Sequence, residues 1–197
     1  MNFSRIVRRT HMYLGLFFGP WILMYALSTV VMNHRDWVSS FYPETVPFVT
    51  ESELTRRISF PEEASPAEQG RLVLQALNME GAFSARRTEE GKLVILRNHP
   101  VHPRRITYET ESGHLQVEQQ PFEAPRFLER MHRRRGFQQD YLLEDVWALS
   151  VDLVILTMVV WAFSGAWMWW ELKTTRLWGI SCLVFGFGLF AFFLLTI

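Results

Sequence analysis

Residues 13–32 have the sequence YLGLFFGPWILMYALSTVVM, which contains no charged side chain. A helix needs about 20 apolar residues to cross the hydrocarbon core of a bilayer. Two later runs also qualify: residues 146–170, where Asp152 is the one charged residue, and residues 177–196, which carry no charge. Because lipid offers the backbone no hydrogen-bond partner, each run should be helical. The sequence therefore predicts an α-helical membrane protein with three transmembrane helices.

Basic residues beside these runs predict their orientation, since short cytoplasmic flanks are enriched in lysine and arginine. Arg5, Arg8 and Arg9 precede the first run, and Lys173 and Arg176 lie between the second and third. Both flanks are therefore expected in the cytoplasm, and the first run, which is longer than the apolar part of a typical signal peptide, should remain uncleaved. The predicted order is a cytoplasmic N-terminus (1–12), a transmembrane helix (13–33), an extracytoplasmic domain (34–123), a basic helix and connector (124–145), a second transmembrane helix (146–170), a cytoplasmic loop (171–176) and a third transmembrane helix (177–197).

The long segment between the first two runs is charged and has the signals of a small folded domain. Three prolines interrupt residues 35–62, which we expect to be irregular. A helix should begin after Ser65, because Ser65 and Glu68 have the spacing of a capping box, in which each caps the other's backbone. Gly81 is placed to end this helix.

Two β-hairpins are expected after the helix, because polar and apolar residues alternate on both sides of two glycine-containing turns. The paired stretches are 82–85 with 93–96, and 105–110 with 114–119. One helix on an antiparallel sheet gives an α+β domain. The predicted fold is thus a membrane α-helical protein with a small α+β extracytoplasmic domain.

Residues 124–135 predict a basic amphipathic helix. Phe127, Leu128 and Met131 recur at helical spacing, and arginines surround them at positions 126, 130, 133, 134 and 135. This pattern is typical of a helix that lies at the membrane surface, here the outer one, although a solvated connector would have a similar sequence. Lipid headgroups or an acidic protein surface are the expected partners of its arginines.

Several short motifs carry a resemblance to a known family. They are HMYLGL at 11–16, MNHR at 32–35, MHR at 131–133 and SGAWMWW at 164–170. Together with the intervening helix and hairpins, they resemble the PepSY-associated transmembrane helix (PepSY_TM-like) family of bacteria, over most of the chain up to Trp170. Ser28 and Thr29 stand where that family has a Thr-Gly pair. The resemblance implies a bacterial inner (cytoplasmic) membrane location and a PepSY-like periplasmic domain.

Three of the six histidines flank the predicted transmembrane helices and are candidate haem ligands. His34 and His132 are both expected on the outer side, where two imidazoles from adjacent helices could bind a b-type haem axially. His11 lies at the inner end of the first helix, roughly 34 Å along it from His34, and would need a partner from elsewhere. The alternative interpretation, that all three are polar residues at the membrane interface, stays open.

Asp152 is the one acidic residue within a predicted transmembrane helix. Ionisable groups are costly in lipid, which makes it a functional candidate, although its position near the outer end also lets it reach water. It would bond a ligand histidine or one of the arginines at 130–135. His99, His102 and His114 are predicted to be solvated. No nucleotide-binding or hydrolase motif is present, so no catalytic residue is predicted, and nucleic acid is not an expected partner.

These observations favour a membrane-anchored PepSY-type accessory or binding subunit rather than an enzyme. Its outer domain would contact a partner protein, and its helices would pack against another membrane protein and against membrane lipids. Larger relatives in the family include haem-containing reductases of ferric siderophores. The alternative implied by this resemblance is a haem-b-binding electron-transfer or ferric-siderophore-reductase-like membrane protein.

Overall fold

The computed structural model describes residues 3–42, 45–134, 136–138 and 141–197. Two compact units are present, one formed by Met1–Ile22 with Val151–Ile197 and the other by Leu23–Ser150. In chain order the elements are α1 (Phe3–Asn33), α2 (Arg35–Ser39), β1 (Val49–Thr55), α3 (Pro66–Ala76), β2 (Phe83–Arg87), β3 (Leu93–Arg97), β4 (Arg104–Tyr108), β5 (His114–Gln119), α4 (Ala124–Arg133), α5 (Leu142–Glu171), a 3₁₀ turn (Lys173–Thr175) and α6 (Arg176–Thr196).

Three of these helices are long and apolar enough to cross a membrane: α1, α5, and α6 together with its preceding turn. The prediction of three apolar helices is confirmed. Both α1 and α5 extend beyond the uncharged runs, because a helix can continue into the polar zone where its charged side chains meet water or one another. Their orientation in a membrane stays a prediction.

The domain between α1 and α5 contains one five-stranded antiparallel sheet in the order β1-β5-β4-β3-β2. Alternate residues of its central strands are fully buried and face Val73 and Leu74 of α3; they are Leu93, Ile95, Ile106, Tyr108, Leu115 and Val117. Fully burying such a side chain contributes about 1.5–3 kcal/mol, so this single layer supplies the domain's core. The predicted α+β arrangement of a helix on an antiparallel sheet is confirmed.

Helix α3 begins as predicted but ends earlier than predicted. The Ser65 side chain accepts from the Glu68 backbone N–H, and Glu68 in turn accepts from the Ser65 N–H at 2.7 Å, which completes the capping box. The helix ends at Ala76, and the prediction that Gly81 ends it was wrong. Asn78 adopts the left-handed conformation instead, with φ of 51°, and the next N–H bonds back to Leu74 O at 2.9 Å. Asparagine tolerates this conformation and can close a helix as glycine does.

The prediction that residues 35–62 are irregular was wrong for two stretches, α2 and β1. Strand β1 pairs antiparallel with β5, with Leu54 opposite Leu115. Its sequence gives no alternating signal, because polar residues occupy nearly every position and Leu54 alone is partly buried. The strand forms because β5 offers an unpaired edge, and this partner is distant in sequence.

Candidate functional site

Helix α4 joins the sheet domain to the membrane-side helices of its unit. Pro125 occupies its first turn, where the missing N–H of proline costs nothing. Arg130 donates from Nε to Pro100 O at 3.1 Å and from Nη1 to the Gln120 side chain at 3.0 Å. Both acceptors belong to the domain, one in the β3–β4 loop and one just after β5. These two hydrogen bonds hold α4 against the sheet domain.

The C-terminal end of α4 is bonded to the start of α5. Arg134 donates to Glu144 at 2.6 Å, and its guanidinium lies over the Trp147 ring, 5.8 Å from the centroid. The Glu144 carboxylate is almost fully buried, with 4% of its side chain exposed. Removing a carboxylate from water is costly unless it is paired, so this bond determines where α4 meets α5.

An ion-pair chain connects the exposed face of α4 to α2. The carboxylate of Glu129 lies 3.0 Å from Arg35 and 3.0 Å from Arg133 of its own helix. Both arginine side chains are more than half exposed, so each pair contributes little to stability. The sequence motif that contains Arg35 is therefore tied to α4, although weakly.

His132 lies against the last turns of α1, within the same unit. Its Nδ1 is 2.7 Å from the Oγ of Ser28, a residue that is fully buried. The Ser28 hydroxyl also lies 2.8 Å from Tyr25 O, so its single proton has two acceptors within reach, Tyr25 O and His132 Nδ1. Because Nδ1 makes the contact with Ser28, Nε2 is the ring nitrogen that remains for a metal.

His34 occupies a different environment from His132. It is exposed at the junction of α1 and α2, where its carbonyl accepts from the Val38 N–H at 2.9 Å. No hydrogen bond or ring contact joins the two imidazoles among the residues that the structure describes. The haem pair of His34 and His132 stays a prediction.

In the other unit, His11 forms a second histidine–serine pair with the same arrangement. Its Nδ1 lies 2.9 Å from Ser164 Oγ, and Ser164 donates to Trp161 O at 2.8 Å. The imidazole stacks on the Trp161 ring at 4.7 Å. A Cβ at Gly165 would meet His11 at 3.3 Å, so the missing side chain admits the ring. Here too, the serine contact is made by Nδ1 of the imidazole.

Two further contacts between α1 and α5 in this unit lie on either side of the His11–Ser164 pair. Ser4 donates to the Glu171 carboxylate at 2.6 Å, and Phe18 packs edge-on against Trp161 at 5.3 Å. The first part of α1 thus runs antiparallel to α5. Asp152, in contrast, is exposed on α5, and its carboxylate has no hydrogen-bond or ion-pair partner among the described residues of its unit. Its functional role stays a prediction.

Of the histidines predicted to be solvated, His99 is half-buried in the β3–β4 loop. Its Nδ1 accepts two backbone N–H groups, from Val101 at 3.2 Å and His102 at 3.0 Å. Burial, followed by the positive charge of Arg97, lowers the pKa of His99. This imidazole is a structural acceptor, and the sequence gave no signal for it.

The motifs that carry the family resemblance contact one another within each unit. His11 of HMYLGL bonds Ser164 of SGAWMWW, and His132 of MHR bonds Ser28 near the end of the first run. A family model described as "Putative PepSY_TM-like" matches residues 4–197. The chain belongs to this family. The match includes α6, which lies beyond the part of the chain where the sequence motifs were found. No curated protein and no solved structure matches the chain.

Membership of the PepSY_TM-like family identifies a membrane-associated PepSY-type protein. Sequence reasoning named the histidines but missed the serines that orient them and the buried Glu144. Ser164 stands inside SGAWMWW and Ser28 inside the first apolar run, and a signal was present there: a hydroxyl residue within an apolar run needs a partner. Glu144 had no such signal, because an acid beside an apolar run ordinarily reaches water.

Proposed function

We propose that this PepSY_TM-like chain is an accessory or binding subunit of a membrane complex, located in the bacterial inner membrane with its domain in the periplasm. The observation that carries the proposal is the uncovered surface of α6, where every residue from Ile180 to Ile197 is exposed. In contrast, α1 and α5 contact each other through specific polar groups. A transmembrane helix whose surface is exposed from Ile180 onward is available to pack against another protein.

One face of α6 is suited to helix packing. Cys182 and Gly186 fall on this face because a helix turns 100° per residue, whereas Gly179, one turn earlier on the same face, is covered by Trp169 of α5. Small residues let helix backbones approach closely, which is the main source of helix association in lipid. A side chain added at Gly186 would meet no atom of the chain.

The domain offers a second surface to the same partner. The sheet face opposite α3 is polar, and Arg105 on it donates to Glu118 at 2.6 Å while lying over the Phe48 ring. Helix α4 holds the domain against the ends of the membrane helices through Arg130 and Arg134.

Photo-crosslinking in native membranes tests this proposal. A benzophenone amino acid at Cys182 should form a discrete adduct with another membrane protein, whereas the same probe at Val184, on the opposite side of α6, should react with lipid. A probe at Thr107 on the polar sheet face should capture the same partner or another subunit of its complex. Equal lipid adducts at Cys182 and Val184, or an adduct solely with a second copy of the chain, would contradict the proposal.

A second candidate function is a haem-b electron carrier of the ferric-siderophore-reductase type. The observation that favours it is the contact of His132 Nδ1 with Ser28 Oγ, because a metal-binding imidazole commonly has a hydrogen bond at its other ring nitrogen. His34, exposed in the same unit, would supply the second axial nitrogen. A bound haem would supply one-electron transfer, and Ser28 would hold the His132 ring in its ligating orientation.

An absorption spectrum of the full chain, purified in detergent after expression with ample haem, separates the two candidates. A Soret band with split α and β bands would favour the haem carrier. In that case His34→Ala or His132→Ala should abolish the low-spin spectrum, and His11→Ala should leave it intact. Haem-free protein would contradict this second candidate and leave the accessory-subunit proposal standing.

A further inference from the structure

A pocket lined by arginines lies between α4, the β3–β4 loop and the start of α5. Its volume is about 450 Å³. The charged residues that line it are Arg126, Arg130, Arg133, Arg134, Glu129 and Glu144. The pocket thus has more positive than negative charge, and the lining amides of Asn98 and Gln138 add hydrogen-bonding groups.

The two acids in the pocket are already engaged. Glu144 pairs with Arg134, and Glu129 is shared by Arg35 and Arg133. Arg130 bonds two neutral oxygens and has no ion-pair partner among the described residues. Burial, followed by the charge of Arg126, lowers the pKa of Arg130, as expected for a cation that lacks a counter-ion.

Two guanidinium donors in this region are buried without an acceptor. Arg130 Nη2 and Arg134 Nε have no hydrogen-bond partner among the residues that the structure describes. Buried donors are nearly always paired, because leaving one unpaired costs more than a typical hydrogen bond contributes. Each arginine is held in place by its other nitrogens, through Gln120 and Glu144 respectively. Each of these arginines therefore has one donor that neither the described residues nor water satisfies.

We propose that this pocket binds a phosphoryl group through Arg130 and Arg134. Guanidinium groups match the geometry of phosphate and carboxylate oxygens. The two donors come from residues four positions apart, roughly 6 Å between their Cβ atoms in a helix. A tetrahedral phosphoryl group has three or more oxygens and can accept from both, whereas the two coplanar oxygens of a carboxylate suit a single guanidinium. The pocket also has room for the group that carries the phosphate.

The phosphoryl group has two sources, a phospholipid headgroup or a soluble phosphate compound. Glu144 lines the pocket from the first turn of an apolar helix that is long enough to cross a membrane. A headgroup at the membrane surface could reach such a site while its chains stay in lipid. This proposal does not depend on the accessory-subunit function, and each can fail without the other.

Titration calorimetry on the full chain in dodecyl maltoside tests the proposal with two probes, inorganic phosphate and short-chain dihexanoyl phosphatidylglycerol. We expect at least one of them to bind, and Arg130→Gln to weaken binding about tenfold or more, since it removes a charged hydrogen bond. Arg86→Gln, an exposed arginine in β2, is the control with the same change of charge and should leave the affinity unchanged.

The pattern of binding identifies the source. Affinity for the lipid alone indicates a headgroup, and comparable affinity for inorganic phosphate indicates a soluble ligand. If Arg130→Gln is poorly folded, Asn98→Asp is the second variant, because it adds a negative charge to the pocket without removing an arginine and should also weaken binding. No binding of either probe, equal effects of Arg130→Gln and Arg86→Gln, or preferential binding of a glutamate-rich peptide would overturn the proposal.

Discussion

The imidazole of His99 makes the β3–β4 loop sensitive to acid. One nitrogen accepts both the Val101 and His102 N–H groups, which requires that nitrogen to be unprotonated. The pKa of His99 is lowered from its usual 6.5, chiefly by burial. The folded state then binds fewer protons than the unfolded state, so this contribution to stability is complete above pH 6.5 and is lost as the pH falls below it. The cations that act on His99 are Arg97, His102, Arg134 and Arg104.

Hydrogen exchange measures this effect directly. After correction for the intrinsic rate, the amides of Val101 and His102 should exchange faster at acidic than at neutral pH. His99→Asn keeps a side-chain acceptor that does not titrate. In that variant the two amides should be equally protected at acidic and at neutral pH. An unchanged pH dependence in that variant would show that another group is responsible.

The capping box of α3 supports a second prediction about a single residue. Ser65→Ala removes the acceptor of the Glu68 N–H and should cost about 0.5–2 kcal/mol. The full chain should show faster hydrogen exchange over residues 66–76. Ser84→Ala, at an exposed position in β2, is the matched control and should have little effect. Equal protection in the two variants would mean that tertiary packing alone holds the helix start.

At the scale of elements, the junction of α4 with α5 depends on one buried ion pair. Glu144→Ala would leave Arg134 without its counter-ion, and breaking a buried pair costs roughly 3–5 kcal/mol. Arg134 keeps 21% of its side chain exposed, so we expect the lower part of that range. Thermal unfolding of the detergent-solubilised protein would measure the loss.

A substitution in the exposed ion pair between α2 and α4 is the control for Glu144→Ala. Arg35→Gln breaks the contact with Glu129, but Arg133 keeps its own contact with that carboxylate. Exposed ion pairs contribute about 0–1 kcal/mol, so the midpoint temperature of thermal unfolding should barely change in Arg35→Gln. Equal destabilisation by the two substitutions would contradict the special role of the buried pair.

At the scale of the whole molecule, the prediction concerns topology. Three apolar helices and their basic flanks predict that the N-terminus lies inside and residue 197 outside; the flanking residues are Arg5, Arg8, Arg9, Lys173 and Arg176. Alkaline phosphatase folds to an active form outside the cytoplasm, so its fusion after residue 197 should be active. A fusion within the 171–176 loop should be inactive with normal expression. The reverse pattern of reporter activity would show that the orientation is the opposite of the predicted one.

Local sequence was enough to predict the parts of this protein whose structure depends on nearby residues. Uncharged runs predicted the apolar helices, since backbone groups in lipid must be satisfied within one segment. Capping and turn residues predicted the start of α3 and both hairpins, whose strands are neighbours along the chain. The candidate histidines were found because imidazoles at helix ends are conspicuous in an apolar chain.

The tertiary structure decided what depends on residues that are distant in sequence. Strand β1 exists because β5 has an open edge, and its own polar sequence carries no pattern that predicts a strand. The Ser28–His132 bond joins residues 104 positions apart, and the Arg134–Glu144 pair is buried only because α4 packs against α5. The serine contact of each imidazole, the burial of Glu144 and the unpaired guanidinium donors all follow from such long-range contacts. No local pattern encodes them, because their energies depend on burial, which the fold alone creates.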